Sequence, residues 1–146
     1  METAAEYIQR INQYMRTHLK DDPTGFCIVF ATQVRTRLTN ERRRSSFLIF
    51  QDRIGGRLDY HFKILRPTLY KGKVSFGGHT VCISGRDIYD PLIGKIVSLQ
   101  EYSASAFGRE IPFRRLSSAE ESSVIHYANE LINLDFLRIT RPAFLN

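Results

Sequence analysis

The stretch from Gly77 to Leu92 constrains the fold of this chain more than any other, because it carries two short apolar segments joined by a turn. That pattern is typical of a tight β-hairpin. With Gly85-Arg86 as a two-residue type II′ loop, the register of the two strands is fixed. Side chains alternate along a strand, so His79 and Asp90 become diagonal neighbours on one face. The sequence therefore predicts a hydrogen bond between an imidazole and a carboxylate.

An imidazole oriented by a carboxylate needs only a nucleophile to complete a triad. Apolar residues recur at helical spacing from about Phe26 to Leu38, with Thr24 as the predicted N-cap, and this places Cys27 in the first helical turn. Free N–H groups and the positive dipole end of a helix lower the pKa of a thiol there and can bind an oxyanion. We therefore predict Cys27 as nucleophile, His79 as general base and acid, and Asp90 as the group that orients the imidazole.

The rest of the pattern predicts helices at both ends of the chain with strands between them, which is an α+β fold. No repeat or domain boundary interrupts it, so residues 1–146 are predicted to form a single domain. Before the hairpin, the pattern predicts a helix over 4–19, a strand Phe47–Phe50, a turn Arg53–Arg57, a strand Leu58–Leu65 and a loop Pro67–Gly72. After the hairpin it predicts a turn Ile93–Lys95 and a helix near 99–106, which follows a capping box at Ser98–Glu101 and ends at Gly108. A final helix begins at Ser117, and its apolar face includes Tyr127 and Leu134.

Composition excludes several classes of protein. No apolar run reaches membrane-spanning length and the N-terminus is polar, so we expect a soluble protein or a soluble piece of a larger exported one. No Cys/His spacing resembles a zinc site, and no motif predicts a cofactor. Gly77-Gly78 is not a phosphate loop, because no Gly-Lys-Ser/Thr follows it. We predict instead that these two glycines let a substrate backbone approach beside His79.

Each candidate residue also has a structural interpretation. Cysteine is often a small buried hydrophobe, which is the role we expect for Cys82. A Cys27–Cys82 disulfide is the alternative, and it would inactivate the proposed site. The other three histidines lack a matching carboxylate pattern and are predicted to be structural or exposed; they are His18, His61 and His126.

Three motifs together resemble the papain-like cysteine peptidase superfamily, and within it the small papain-fold toxin and effector domains of bacteria. They are Gly25-Phe26-Cys27 opening a helix, Gly77 to Val81 on a strand, and Ile88 to Gly94. Bacteriocin leader peptidases are a second similarity, through His79-Thr80-Val81 and Asp90-Pro91-Leu92. The resemblance covers roughly residues 24–108, the motif-bearing core. It implies a papain-like fold, with N-terminal helices and a nucleophile at a helix N-terminus packed on a small antiparallel sheet.

The resemblance also implies a function. It predicts a thiol hydrolase that acts on a protein substrate through a Cys-His-Asp triad, either as a glutamine deamidase or as a cysteine protease, with Gly77 and Gly78 beside the substrate. Such a toxin or effector is made in the cytoplasm, can be exported, and acts in a target-cell cytoplasm. Many members carry a Gln shortly before the nucleophile as an oxyanion donor, but Lys20–Gly25 contains none. The oxyanion donor must then be the backbone N–H of Cys27 or a side chain from elsewhere in the chain, and Gln51 and Asn40 are the candidate side chains.

A second hypothesis is a non-catalytic basic α+β module that binds protein or nucleic acid. The net charge of +6 permits it, and it would use Arg35, Arg37 and Arg42–Arg44. The run Arg42–Arg44 is either a solvated loop or a docking patch for an acidic partner, which for a toxin would include its immunity protein. Direct nucleic-acid binding is disfavoured, because the chain has no helix-turn-helix, RNP-type or zinc-knuckle motif.

Overall fold

The computed structural model describes residues 1–55 and 61–133 of the chain. These residues form an α+β fold, as the order of helical and strand patterns predicts. Its elements are, in chain order, α1 (Ala4–Thr17), α2 (Cys27–Asn40), β1 (Ser46–Phe50), β2 (Asp52–Ile54), β3 (His61–Lys63), a 3-10 turn (Thr68–Tyr70), β4 (His79–Ser84), β5 (Asp87–Tyr89), β6 (Val97–Ser98), α3 (Leu99–Phe107), β7 (Phe113–Arg115) and α4 (Ser118–Asn133).

Five strands form an antiparallel sheet in the order β6-β5-β4-β1-β7, and β2 and β3 form a separate hairpin. The central strands β1 and β4 pair from Ser46 opposite Ile83 to Phe50 opposite His79. Every residue of β4 is buried, because helices cover both faces of the sheet. Helices α2 and α4 cover the face that carries Cys82, whereas Tyr102 of α3 packs on Phe50 on the other face.

The predicted hairpin is confirmed. Ser84 pairs with Asp87, and Gly85 has the positive φ of 63° that a type II′ loop requires at its first position. The second strand is shorter than the apolar pattern suggests, because β5 ends at Tyr89. Asp90 follows immediately, and its carbonyl oxygen accepts hydrogen bonds from the N–H groups of a turn that leads the chain out of the sheet.

The helix predictions are correct in position and partly wrong at their ends. Helix α1 ends at Thr17, so Leu19 lies outside it and is 38% exposed. Helix α2 is preceded by Phe26 as N-cap, whereas Thr24 donates its N–H to Asp22 instead of capping the helix. Ser98 precedes α3 without a capping hydrogen bond.

The capping prediction holds for the last helix. Ser117 and Glu120 form reciprocal hydrogen bonds there, each accepting the other's backbone N–H. The predicted apolar face of α4 is wrong at Tyr127, which is 58% exposed, while Ala128 is buried. Leu134 lies outside the described residues. None of the helices within residues 1–55 and 61–133 has the length and apolar content needed to cross a bilayer.

The strand predictions fail mainly where polar residues form strands. Arg53 and Ile54 belong to β2 rather than to a turn, and the predicted strand 58–65 is found as β3 at His61–Lys63, with 56–60 outside the described residues. The short strands β6 and β7 were not predicted. Strand β7 reads Phe113–Arg115 and is exposed on both faces, so it lacks the alternation by which strands are found.

Candidate active site

The predicted pair of His79 and Asp90 is present and buried. Nε2 of His79 lies 2.8 Å from Oδ2 of Asp90, and each side chain is only 2% exposed. His79 is the first residue of β4, and its ring stacks on Phe76 at 5.2 Å while Phe107 contacts it edge-on at 5.8 Å. The imidazole is therefore fixed in plane and direction by one carboxylate and two aromatic rings.

Cys27 lies at the other side of the same imidazole. It is the first residue of α2 and is partly exposed, and no capping side chain from Phe26 occupies the first N–H groups of the helix. The thiol is close enough to the His79 side chain and to the backbone of Thr80 for both to lower its pKa. Because Asp90 occupies Nε2, the ring nitrogen left for the thiol is Nδ1, which is buried and makes no hydrogen bond to any described group.

The electrostatics of the pair favour a thiolate and an imidazolium. Burial acts to raise the pKa of Cys27, but the hydrogen bond and charge of His79, with the Thr80 N–H, outweigh it and lower the pKa below the ordinary thiol value. Burial likewise acts to lower the pKa of His79, but the charge and hydrogen bond of Asp90 and the contact with Cys27 raise that pKa to about 10. The two shifts are opposite in direction, and both favour a proton on His79 rather than on Cys27.

Asp90 is held by groups that the sequence did not reveal. Its Oδ1 accepts the N–H of Leu92, and its Oδ2 accepts the hydroxyl of Tyr102 as well as His79. Tyr102 is fully buried on α3, and both burial and the Asp90 carboxylate raise the pKa of its phenol well above the usual value. Helical spacing places Tyr102 on the inner face of α3, but no sequence signal tells which carboxylate its hydroxyl meets.

Removing the Tyr102 hydroxyl tests its positioning role. We expect Tyr102→Phe to keep the ring packing on Phe50 and to lower the rate of the Cys27-dependent reaction about tenfold. Without the competing donor on Oδ2, Asp90 holds the His79 proton more tightly, so the alkaline limb of the pH–rate profile moves to higher pH. A full pH–rate profile measures this shift. A uniform drop in rate with an unchanged profile would show that the hydroxyl only supports the fold.

Helix α1 holds the turn that follows Asp90. The buried Asn12 donates its Nδ2 to the carbonyl of Pro91 at 2.7 Å, and Arg16 in turn donates to Asn12 at 2.8 Å. Gly94 in the same turn has φ of 80°, and a Cβ built there would lie 2.5 Å from Cγ of Asn12. The N-terminal helix carries no predicted site residue, yet it holds the turn that follows Asp90, the third residue of the candidate triad.

Because the turn at Gly94 contacts α1, we predict that a side chain at Gly94 lowers the stability of the fold strongly. We expect Gly94→Ala to lower the free energy of unfolding by about 2 kcal/mol or more, because the new methyl group meets Asn12 close to the helix backbone. Gly72→Ala is the matched control: its φ is 82° but nothing lies within 4 Å, so it carries backbone strain of about 1 kcal/mol alone. Urea denaturation compares the two variants. Equal losses at both positions would show that α1 does not press on this turn.

The two predicted glycines differ in their surroundings, and the two candidate oxyanion donors differ in their distance from the site. A Cβ on Gly77 would meet open space, whereas one on Gly78 would lie 2.9 Å from Nε2 of Gln51. Gln51 thus packs beside the strand that begins at His79. Asn40 ends α2, about 20 Å from the thiol at the other end of that helix, and is too distant to act on it.

The remaining candidate residues lie away from this site. Cys82 is fully buried and burial raises the pKa of its thiol to about 11, while both cysteines are free, so the disulfide alternative is wrong. His18 and His61 are exposed, and His126 pairs with Glu130 at 3.1 Å on the surface of α4.

The chain was compared with known protein families, curated proteins and solved structures. No family model, curated protein or solved structure matches this chain. The relation to papain-like peptidases therefore stays a resemblance, carried by the motifs around Cys27, His79 and Asp90.

Proposed function

We propose that this chain is a papain-like thiol hydrolase that acts on a protein substrate through Cys27, His79 and Asp90. One observation carries the proposal: a buried imidazole lies between a carboxylate at 2.8 Å and a thiol at a helix N-terminus, and the pKa of that thiol is lowered. A buried histidine with a purely structural role needs hydrogen-bond partners, but it does not need a neighbouring thiol whose pKa is lowered. Perturbed thiol and imidazole pKa values in contact with each other are typical of catalytic sites.

The chemistry follows from the protonation state. The Cys27 thiolate attacks the carbonyl carbon of a carboxamide or peptide bond, so that a C–S bond forms and the carbonyl electron pair moves to oxygen. His79 then donates its proton to the departing ammonia or amine as the C–N bond breaks, which leaves a thioester. Water attacks the thioester with neutral His79 as general base, and the acid product and the Cys27 thiolate are released. Asp90 keeps the imidazole oriented and stabilises its charged form.

The negative charge on the carbonyl oxygen requires donors during attack. The first donors that we propose are N–H groups of the first turn of α2, which no capping side chain occupies, and the positive end of the helix dipole supports an anion there. Gln51 is the second donor that we propose. It follows Phe50, which pairs with His79, so by alternation its side chain is on the face of the sheet that α2 covers.

By resemblance to small papain-fold toxins, we favour glutamine deamidation over proteolysis and propose a bacterial effector that can be exported and act in a target cell. Both reactions use the same residues and differ in product. Mass spectrometry of cellular proteins after expression of wild type and of Cys27→Ala distinguishes them: deamidation adds roughly one dalton at a Gln, and proteolysis creates new termini. Identical proteomes from the two forms would contradict the proposal.

The acidic partner expected at Arg42–Arg44 stays a prediction. Arg42 and Arg44 are exposed and line a shallow cavity of about 430 Å³. Arg43 is engaged within the chain, since it donates to the hydroxyl of Tyr89 at 2.6 Å. The patch thus offers cations to an immunity protein or another acidic protein.

A further inference from the structure

Gly78, the residue before His79, packs against the side chain of Gln51. A Cβ built on Gly78 would lie 2.8 Å from Cγ and 2.9 Å from Nε2 of Gln51, which is closer than real Cβ atoms come to such neighbours. The space into which a side chain at this position would extend is therefore filled by the Gln51 side chain. Gly77 differs, because a Cβ built there would meet nothing within 4 Å.

The backbone of Gln51 is fixed by the segment that follows α3. Its N–H donates to the carbonyl of Pro112 at 3.1 Å. The next residue, Asp52, forms a salt bridge with Arg109 at 2.7 Å. Two consecutive residues are thus tied to the same segment, whereas the end of a Gln side chain turns about several single bonds. A group added at Gly78 would therefore displace the side chain of Gln51 and not its backbone.

The Gln51 amide lies on the same face of the sheet as the nucleophile. Ile49 pairs with Thr80, and continuing this register places Gln51 opposite Gly78. By alternation, Ile49, Gln51 and Thr80 direct their side chains to the face that α2 covers. The Thr80 backbone is close enough to the Cys27 thiol to lower its pKa. Gly78 and Thr80 are two residues apart, which is about 6.6 Å along a strand.

This separation suits a donor to the oxygen of an attacked carbonyl. Such a donor acts when it lies about 3 Å from the developing oxyanion, and the oxyanion is bonded to the carbon that the thiolate attacks. Within the described part of the chain, no group forms a hydrogen bond with the Gln51 amide, so its N–H groups are available to a substrate. The direction of the amide then depends on its packing against Gly78.

We propose that Gly78 is a positioning residue: because it has no side chain, the Gln51 amide lies against the start of β4 and directs Nε2 toward the carbonyl oxygen of the group that Cys27 attacks. The inference rests on the proposed function and adds to it a residue that acts through Gln51. The predicted approach of a substrate backbone then concerns Gly77, where the space is open.

Two reactions of the same thiol test this role. Acylation of Cys27 by p-nitrophenyl acetate forms a C–S bond through a tetrahedral oxyanion and releases p-nitrophenolate, whereas alkylation by iodoacetamide displaces iodide and forms no oxyanion. With the rate of Cys27→Ala subtracted, we expect Gly78→Ala to lower acylation about tenfold or more and to leave alkylation within about twofold of wild type. Gly77→Ala, the matched control, should leave both rates unchanged.

Gln51→Ala identifies the group through which Gly78 acts. It should lower acylation at least as much as Gly78→Ala, and the double variant should lose no more than Gln51→Ala alone. A further loss in the double variant, equal losses in acylation and alkylation, or a Gly78→Ala chain that does not fold overturns the positioning role and leaves the hydrolase proposal intact. A wild-type Cys27 that iodoacetamide labels as an ordinary thiol overturns the proposed function instead.

Discussion

Cys27→Ala is expected to abolish the proposed hydrolase activity, with a rate loss on the order of 10⁴-fold or more, while the chain stays folded. In the proposed mechanism the Cys27 thiolate forms the covalent bond to the substrate, and Ala has no nucleophilic group. Cys27 is a half-buried residue at the start of α2 and its side chain is small, so Ala there leaves little cavity. Toxicity or substrate turnover measures the loss, and circular dichroism confirms the fold.

The same substitution at the other cysteine is the matched control. Cys82 is fully buried in β4 and burial raises the pKa of its thiol to about 11, so it is neither accessible nor ionised at neutral pH. Cys82→Ala should therefore lower the free energy of unfolding by about 1 kcal/mol or more through a small cavity and leave turnover intact. Equal turnover by Cys27→Ala and wild type would contradict the assignment of the nucleophile.

Asp90→Asn is expected to have the second-largest effect. The substitution keeps the shape of the side chain but removes the charge, and the rate should fall about 10²- to 10⁴-fold. Burial of His79 alone acts to lower its pKa, and the charge and hydrogen bond of Asp90 are the main causes that raise it to about 10. Without them the imidazolium loses its proton at lower pH, so the alkaline limb of the pH–rate profile should move down.

The same pKa gives a stability prediction with a definite sign. Because the folded-state pKa of about 10 exceeds the ordinary value of 6.5, His79 protonation stabilises the fold fully below pH 6.5, and this contribution is lost as pH rises through about 10. In Asp90→Asn that pH dependence should shrink, which urea denaturation at several pH values measures. A stability profile and rate profile identical to those of wild type would contradict the role of Asp90.

The central part of the site could be predicted because it is local. The hairpin turn fixes the register, and the period of two places His79 and Asp90 on one face within eleven residues of each other. The position of Cys27 follows from a single helix start. Each inference needs only short-range geometry, and the predicted contact between His79 and Asp90 is confirmed at 2.8 Å.

The supporting groups could not be predicted because they depend on how distant elements pack. Tyr102 reaches Asp90 only after α3 docks on the sheet, and Asn12 reaches Pro91 only after α1 packs beside β5. Strand β7 lacks alternation, so sequence periodicity cannot detect it. Tertiary contacts of this kind override the local signals on which sequence analysis relies.

The pH dependence of iodoacetamide labelling at Cys27, read by peptide mass in wild type and in His79→Ala, tests the central claim most directly. If the thiol and imidazole form an ion pair, wild-type labelling has its midpoint below the ordinary thiol value of 9. His79→Ala removes the main causes that lower the pKa of Cys27 and leaves burial, so its midpoint should rise above 9, with a loss in labelling rate at neutral pH of about tenfold or more. A midpoint near 9 in both forms would contradict the catalytic assignment and favour the non-catalytic basic binding module.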